Sequence, residues 1–216
     1  MKRLVFKTQD IDIVVLKDFW EDFHAENIKD IIEEEDGRYY LERSRRRGEI
    51  YHILYCRLPG WSTDPGRRVK VDIIVPPTTL VLPNITAFEA VRINGIPVMP
   101  IFDLLVMRTQ GWWERRKLNR DGFNVKVGND VRDILALLER AKEEKVSYVD
   151  EARADEDRHS QDFMDHARTF ASKFVGVHGR HEQWRALQFP LSRADAHEAA
   201  LDKTFTDCIL RLLLRR

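Results

Sequence analysis

The sequence predicts an α+β protein, a mixed β-sheet of about five strands followed by a helical half. Two observations carry that prediction. Up to Pro100 the apolar residues alternate or gather in short β-branched blocks separated by turn signals, the pattern of strands. After Pro100 they recur every three or four positions, the pattern of helices. Strands first and helices afterwards is the arrangement of an α+β chain.

Taken in order, Asp10-Ile11-Asp12-Ile13-Val14-Val15-Leu16 passes from alternation into a β-branched run, a strand buried on both faces at its far end. Asn27 to Glu35 has Ile28, Ile31 and Ile32 on a helical stripe, and Asp36-Gly37 stops it. Tyr39-Tyr40-Leu41 and Glu49 to Leu58 form two strands around the basic turn Arg43 to Gly48. Arg68 to Val75 is a further strand closed by Pro76-Pro77, and Asn94-Gly95 marks a hairpin between Ile93 and Val98. Ile101 to Lys117 and Asn129 to Lys145 are helices, joined by a polar loop over Asn119 to Gly128. Gln161 to Val175, Glu182 to Leu187 and Ala194 to Leu214 complete the helical half, the last as a packed helix. Asp150 to Asp157 offers a joint.

The composition excludes several classes. The 216 residues carry 36 Lys and Arg against 36 Asp and Glu, so the net charge is zero. A chain that grips nucleic acid with its whole surface is clearly basic, and this one is not. No run approaches the ~18 apolar residues of a membrane span, and the start Met1-Lys2-Arg3-Leu4-Val5-Phe6 lacks a signal-peptide core. Cys56 and Cys208 are two distant thiols, which reads as a reduced, cytoplasmic protein.

The chemistry rests on carboxylates. Asp10 and Asp12 lie two apart on a strand, so both face the same side, roughly 7 Å from each other. Two such anions repel unless they are solvated or share a cation. Asp72 stands between Val71 and Ile73 in an apolar strand, where a lone charge is costly unless paired or metal-bound. Mg²⁺ or Mn²⁺, which take oxygen ligands, would suit the three together. The plainer reading makes Asp-x-Asp a solvated strand face and pairs Asp72 with Lys70 or Arg68.

In their order these segments resemble the nucleotidyltransferase superfamily. Thr8-Gln9-Asp10-Ile11-Asp12 is similar to its metal-binding strand, and Val71-Asp72-Ile73-Ile74 to the strand of its third carboxylate. Further likeness, to uncharacterised fungal proteins of this fold, lies in Val71 to Pro76, Leu82-Pro83, Pro97-Val98-Met99-Pro100, Gln110-Gly111-Trp112 and Asn129 to Ile134. AbiEii-type toxin nucleotidyltransferases share the general layout. The resemblance spans about residues 8 to 145 and, weakly, the helical C-terminus. It implies a nucleotidyltransferase-like domain over residues 1–149, short at its N-terminus, and a helical region over 150–216. It further implies transfer of a nucleoside monophosphate from a nucleoside triphosphate to an acceptor that is RNA, protein or a small molecule. Asp10, Asp12 and Asp72 would hold the metal, and Asp72 would also help activate the acceptor hydroxyl. Thr8 and Arg108 would contact the nucleotide.

One family element is missing. The superfamily places a Gly-Gly or Gly-Ser turn before the first Asp, where backbone N–H groups cradle the triphosphate. Here nine residues precede Asp10 and the first glycine is Gly37. Either the N-terminus is shortened or triphosphate binding is lost, and the second case makes the protein an inactive binding or structural module. The remaining candidates have plain explanations. Arg43 to Arg47 is a basic turn that could meet phosphates or a solvated hairpin tip. Asp133 is a buried partner for a basic helix residue, and His159, His166, His178 and His181 are surface histidines rather than a zinc set.

Overall fold

A computed structural model gives the protein's structure and describes residues 10–16, 24–45, 50–60, 66–75, 81–117, 123–154 and 158–201. The chain divides into two compact units, Met1–Leu80 and Val81–Arg216, so Asp150 falls inside the second. Strands lead and helices follow, as the periodicity predicts.

The first unit holds a four-stranded sheet of β1 (Asp10–Val14), β2 (Tyr39–Arg43), β3 (His52–Arg57) and β4 (Arg68–Ile74), with helix α1 (Ala25–Glu35). The order is β1-β4-β3-β2, with β1 parallel to β4 and the other pairs antiparallel. Along β4 the burial alternates strictly: Val69, Val71 and Ile73 are buried, while Lys70 and Asp72 are half-exposed. The apolar side packs on Ile28 and Ile32 of α1, with Leu54 fully buried at its centre. The other side carries the charges. At its far end β1 is half-buried rather than buried on both faces, with Val14 and the following Val15 and Leu16 partly exposed. Ile11 and Ile13 are each 40% exposed, and among the described residues β1 is an edge strand.

The second unit begins with the hairpin β5 (Val91–Ile93) and β6 (Ile96–Val98). Its turn residues Asn94 and Gly95 have φ of 53° and 82°, the left-handed pair that a tight two-residue hairpin turn requires. The helices are α2 (Ile101–Lys117), α3 (Phe123–Glu143), α4 (Tyr148–Ala154), α5 (Gln161–His178) and α6 (His181–Ala186), and residues 193–201 are also helical. They share one aromatic core in which Phe102, Trp112, Phe163, Phe174 and Trp184 are almost wholly buried.

Two local expectations change. Helix α3 starts at Phe123, inside the expected loop, because Val127 and Val131 pack on the core and carry the helix through Gly128. The acidic joint starts as helix α4, where Ser147 Oγ accepts the Asp150 N–H at 3.2 Å and Tyr148 packs against Phe102 and Phe189. Helix α5 is capped at both ends, with Ser160 Oγ accepting the Phe163 N–H and Gly179 following at φ 71°. Its Gly176 lies so close to the 193–201 helix that a Cβ would stand 2.0 Å from the Ala196 carbonyl oxygen.

Candidate active site

Strand register decides where the carboxylates lie. Parallel pairing sets Asp10 beside Lys70 and Asp12 beside Asp72. Lateral neighbours project to the same face. Asp10, Asp12 and Asp72 therefore share the open face of the sheet, opposite the side that Leu54, Val71 and Ile73 bury against α1.

Lys70 stands among them. Its Nζ donates to Asp72 Oδ2 at 2.5 Å, with the two side chains 35% and 41% exposed. Burial presses the Lys70 ammonium down, but the hydrogen bond and charge of Asp72, joined by the charge of Asp10, leave it above its ordinary value. The plain pairing of Asp72 with Lys70 thus exists on the face that Asp72 shares with Asp10 and Asp12. In donor chemistry and strand parity the three aspartates suit a hard divalent cation: all are oxygen anions on adjacent strands. Among the described residues, however, no group of three His, Cys, Asp or Glu side chains is gathered to hold one.

The same face continues into an aromatic and cationic surface. Tyr55 lies opposite Lys70 and Tyr40 opposite Tyr55, the two rings stacking at 5.7 Å. The Arg68 guanidinium lies 4.2 Å from the Tyr55 ring centre and donates to Tyr40 Oη and Glu42 Oε2, at 2.8 and 2.6 Å. Arg57 covers the Tyr40 ring at 4.7 Å. Arg68, the other partner considered for Asp72, is directed to Tyr40 and Glu42.

The remaining candidates separate. Thr8 lies outside the described residues. Arg45, on the basic turn, bonds Glu42 at 2.7 Å, and Arg46 and Arg47 lie outside them. Arg108, on α2, faces Asp130 and Asp133 of α3 at 3.7 and 3.6 Å. The buried carboxylate there is Asp130, whose two oxygens accept from Arg115 at 2.6 Å each, while Asp133 is 38% exposed. The histidines form no set. His166 bonds within α5, and His178 packs on Trp112 and Phe174.

His159 corrects the surface reading, because it is 5% exposed. Its Nε2 bonds Asp103 Oδ1 at 2.7 Å, and Arg158 Nη2 donates to Asp103 Oδ2 at 2.5 Å. Glu151 lies 3.7 Å from Arg158, and burial pushes its carboxyl up despite the charges of Arg158 and His159. The signal in the sequence was an aspartate on the core stripe, between Phe102 and Leu105, together with an adjacent Arg-His pair.

Against this geometry, the family model described as "Nucleotidyl transferase AbiEii toxin, Type IV TA system" matches residues 7–208, more than nine-tenths of the chain. The chain belongs to the AbiEii nucleotidyltransferase family. Membership of the AbiEii family brings a nucleotidyltransferase-type function and a nucleoside triphosphate as substrate. The match takes in β1 and β4, and so all three aspartates. No curated protein and no solved structure matches the chain. Among the described residues no helix is long and apolar enough to cross a membrane.

Proposed function

We propose that this AbiEii-family chain transfers a nucleoside monophosphate from a nucleoside triphosphate to an acceptor hydroxyl, with Mg²⁺ or Mn²⁺ held by Asp10, Asp12 and Asp72. One observation carries the reading: the register that sets Asp12 beside Asp72, with Asp10 on the same face, in a chain of this family. The bond that forms joins the acceptor oxygen to the α-phosphorus, and the bond that breaks releases pyrophosphate. A bound divalent cation would neutralise phosphate oxygens and lower the pKa of the acceptor hydroxyl.

The chain's own residues do the rest. Asp10 and Asp12, on an edge strand, face solvent from which a charged nucleotide can approach. Asp72, next to Asp12, would accept a hydrogen bond from the acceptor hydroxyl once its oxygen is clear of Lys70. For Arg108 and Thr8 the support is the motif pattern alone. The second reading, an inactive module of this fold, is favoured by the Lys70–Asp72 bridge, which fills one carboxylate with the chain's own cation.

Label transfer separates the two. Each nucleoside triphosphate, carrying a radioactive α-phosphate, is incubated with the protein and with RNA, protein and small-molecule fractions of a cell extract in Mg²⁺ or Mn²⁺. Label moving to one fraction, and falling to background in Asp12→Asn and Asp72→Asn, is the expected result. Label that stays at background in wild type as in both variants would leave the inactive module standing.

A further inference from the structure

The open face of the sheet carries four charged side chains in a two-by-two array: Asp10 beside Lys70, and Asp12 beside Asp72. Three are anions and one is a cation. Lateral neighbours on such a face stand about 5 Å apart and second neighbours along a strand about 7 Å, so a lysine's four-carbon stem reaches any corner. Here it reaches Asp72, at 2.5 Å, and Asp10 is its lateral neighbour in the strand register.

We propose that Lys70 is a tethered counter-ion that occupies the carboxylate array in place of a divalent cation, and that it must release Asp72 for the cation to bind. The inference rests on the reading of Asp10, Asp12 and Asp72 as metal ligands. It assigns to Lys70 a positioning role: it sets how tightly the metal binds and holds Asp72 in place meanwhile.

Three observations lead there. The pair is more than a third exposed on both sides, so water can take up either partner when the bridge opens, and no buried charge is stranded. Lysine presents a single-point ammonium rather than the planar fork that clamps a carboxylate at two points, so the bridge is exchangeable. Arg68, two residues earlier on the same face, is held by Tyr40, Glu42 and the Tyr55 ring. The strand therefore sends one cation to the aromatic side and one to the carboxylates.

The array's formal charge is minus two with Lys70 and minus three without it. Removing the ammonium should strengthen divalent binding, on the order of tenfold, the usual scale of coupling between two sites. The test is titration of the full-length protein with Mn²⁺, with free ion read by electron paramagnetic resonance, so that no turnover is required. Lys70→Met is expected to bind Mn²⁺ about tenfold more tightly than wild type. Lys70→Arg should restore the weaker binding, which a merely structural role for the stem would not do. Asp12→Asn in the Lys70→Met background should abolish the gain. If Lys70→Met does not fold, Lys70→Gln carries the same comparison. Binding in wild type that is lost in Asp12→Asn, yet equal or weaker in the lysine variant, would overturn the role of Lys70 and keep the metal reading. Absence of Mn²⁺ binding in folded wild type and folded Lys70→Met alike would overturn both.

Discussion

Asp72 and Asp103 have ion pairs of the same length and opposite character. Asp72 bonds Lys70 at 2.5 Å with its side chain 41% exposed. Asp103 bonds Arg158 at 2.5 Å and His159 at 2.7 Å with its side chain completely buried. Distance does not separate them; solvent does. An exposed pair gains little, because water screens the attraction and stands ready to replace either partner. A buried pair cannot be opened without stranding a charge in a medium that does not solvate it. The helical unit therefore uses its aspartate to pin α2 to the segment before α5, while the sheet keeps its aspartate available for exchange.

The largest effect that could break this comparison is at Asp103. Asp103→Asn should cost about 3–5 kcal/mol, since it leaves Arg158 buried beside a neutral amide. Urea unfolding followed by tryptophan fluorescence measures it, and a loss below about 1 kcal/mol would place Asp103 with the exposed pairs. Asp72→Asn should lose no more than about 1 kcal/mol in the same assay. A loss of several kcal/mol there would make the Lys70 bridge a structural bond, and exchange with a metal would become hard to sustain.

Glu151 sharpens the contrast through pH. Burial raises its pKa above the ordinary 4.5, with the charges of Arg158 and His159 opposing and those of Asp103 and Asp150 adding to the rise. A carboxyl raised in the fold favours folding below its unfolded value, and that contribution is lost as pH rises through the folded value. Glu151→Gln should therefore melt with wild type near pH 4.5 and above it by about 2 °C at about pH 7.5. A gap that opens instead toward acid would reverse the sign. The smallest effect belongs to Asp12, which faces the like charge of Asp72 across the strand pair. Asp12→Asn should leave the metal-free protein as stable as wild type, or more stable by less than about 1 kcal/mol, in thermal melts.

The candidate site was partly legible in the sequence because its spacing is local. A strand alternates every two residues wherever it sits, so Asp10 and Asp12 had to share a face, and Asp72 had to oppose Val71 and Ile73. The Asn94-Gly95 turn was legible for the same reason, since both φ values are set within the turn. His159 was not, because its partner Asp103 lies 56 residues away, and an aspartate between Phe102 and Leu105 marks a buried charge without saying which residue meets it. The start of α3 at Phe123 and the presence of α4 escaped too, since burial of Val127 and Tyr148 outweighed a polar composition.

By itself, then, the sequence determined the class of the fold, the order of strands before helices, and the parity of each carboxylate, because periodicity and turn chemistry act over a few residues. Only the tertiary structure decided that β1 lies parallel to β4 in the register that sets Asp12 beside Asp72 and Asp10 beside Lys70. The same structure turned Lys70 toward Asp72 and Arg68 toward Tyr40. Register is a choice among whole-strand alignments that differ in how many apolar side chains they bury. Val15, just past β1, packs on the core of Leu54, Val71 and Ile73 that faces α1, and the charges on the opposite face take the positions that this burial leaves them.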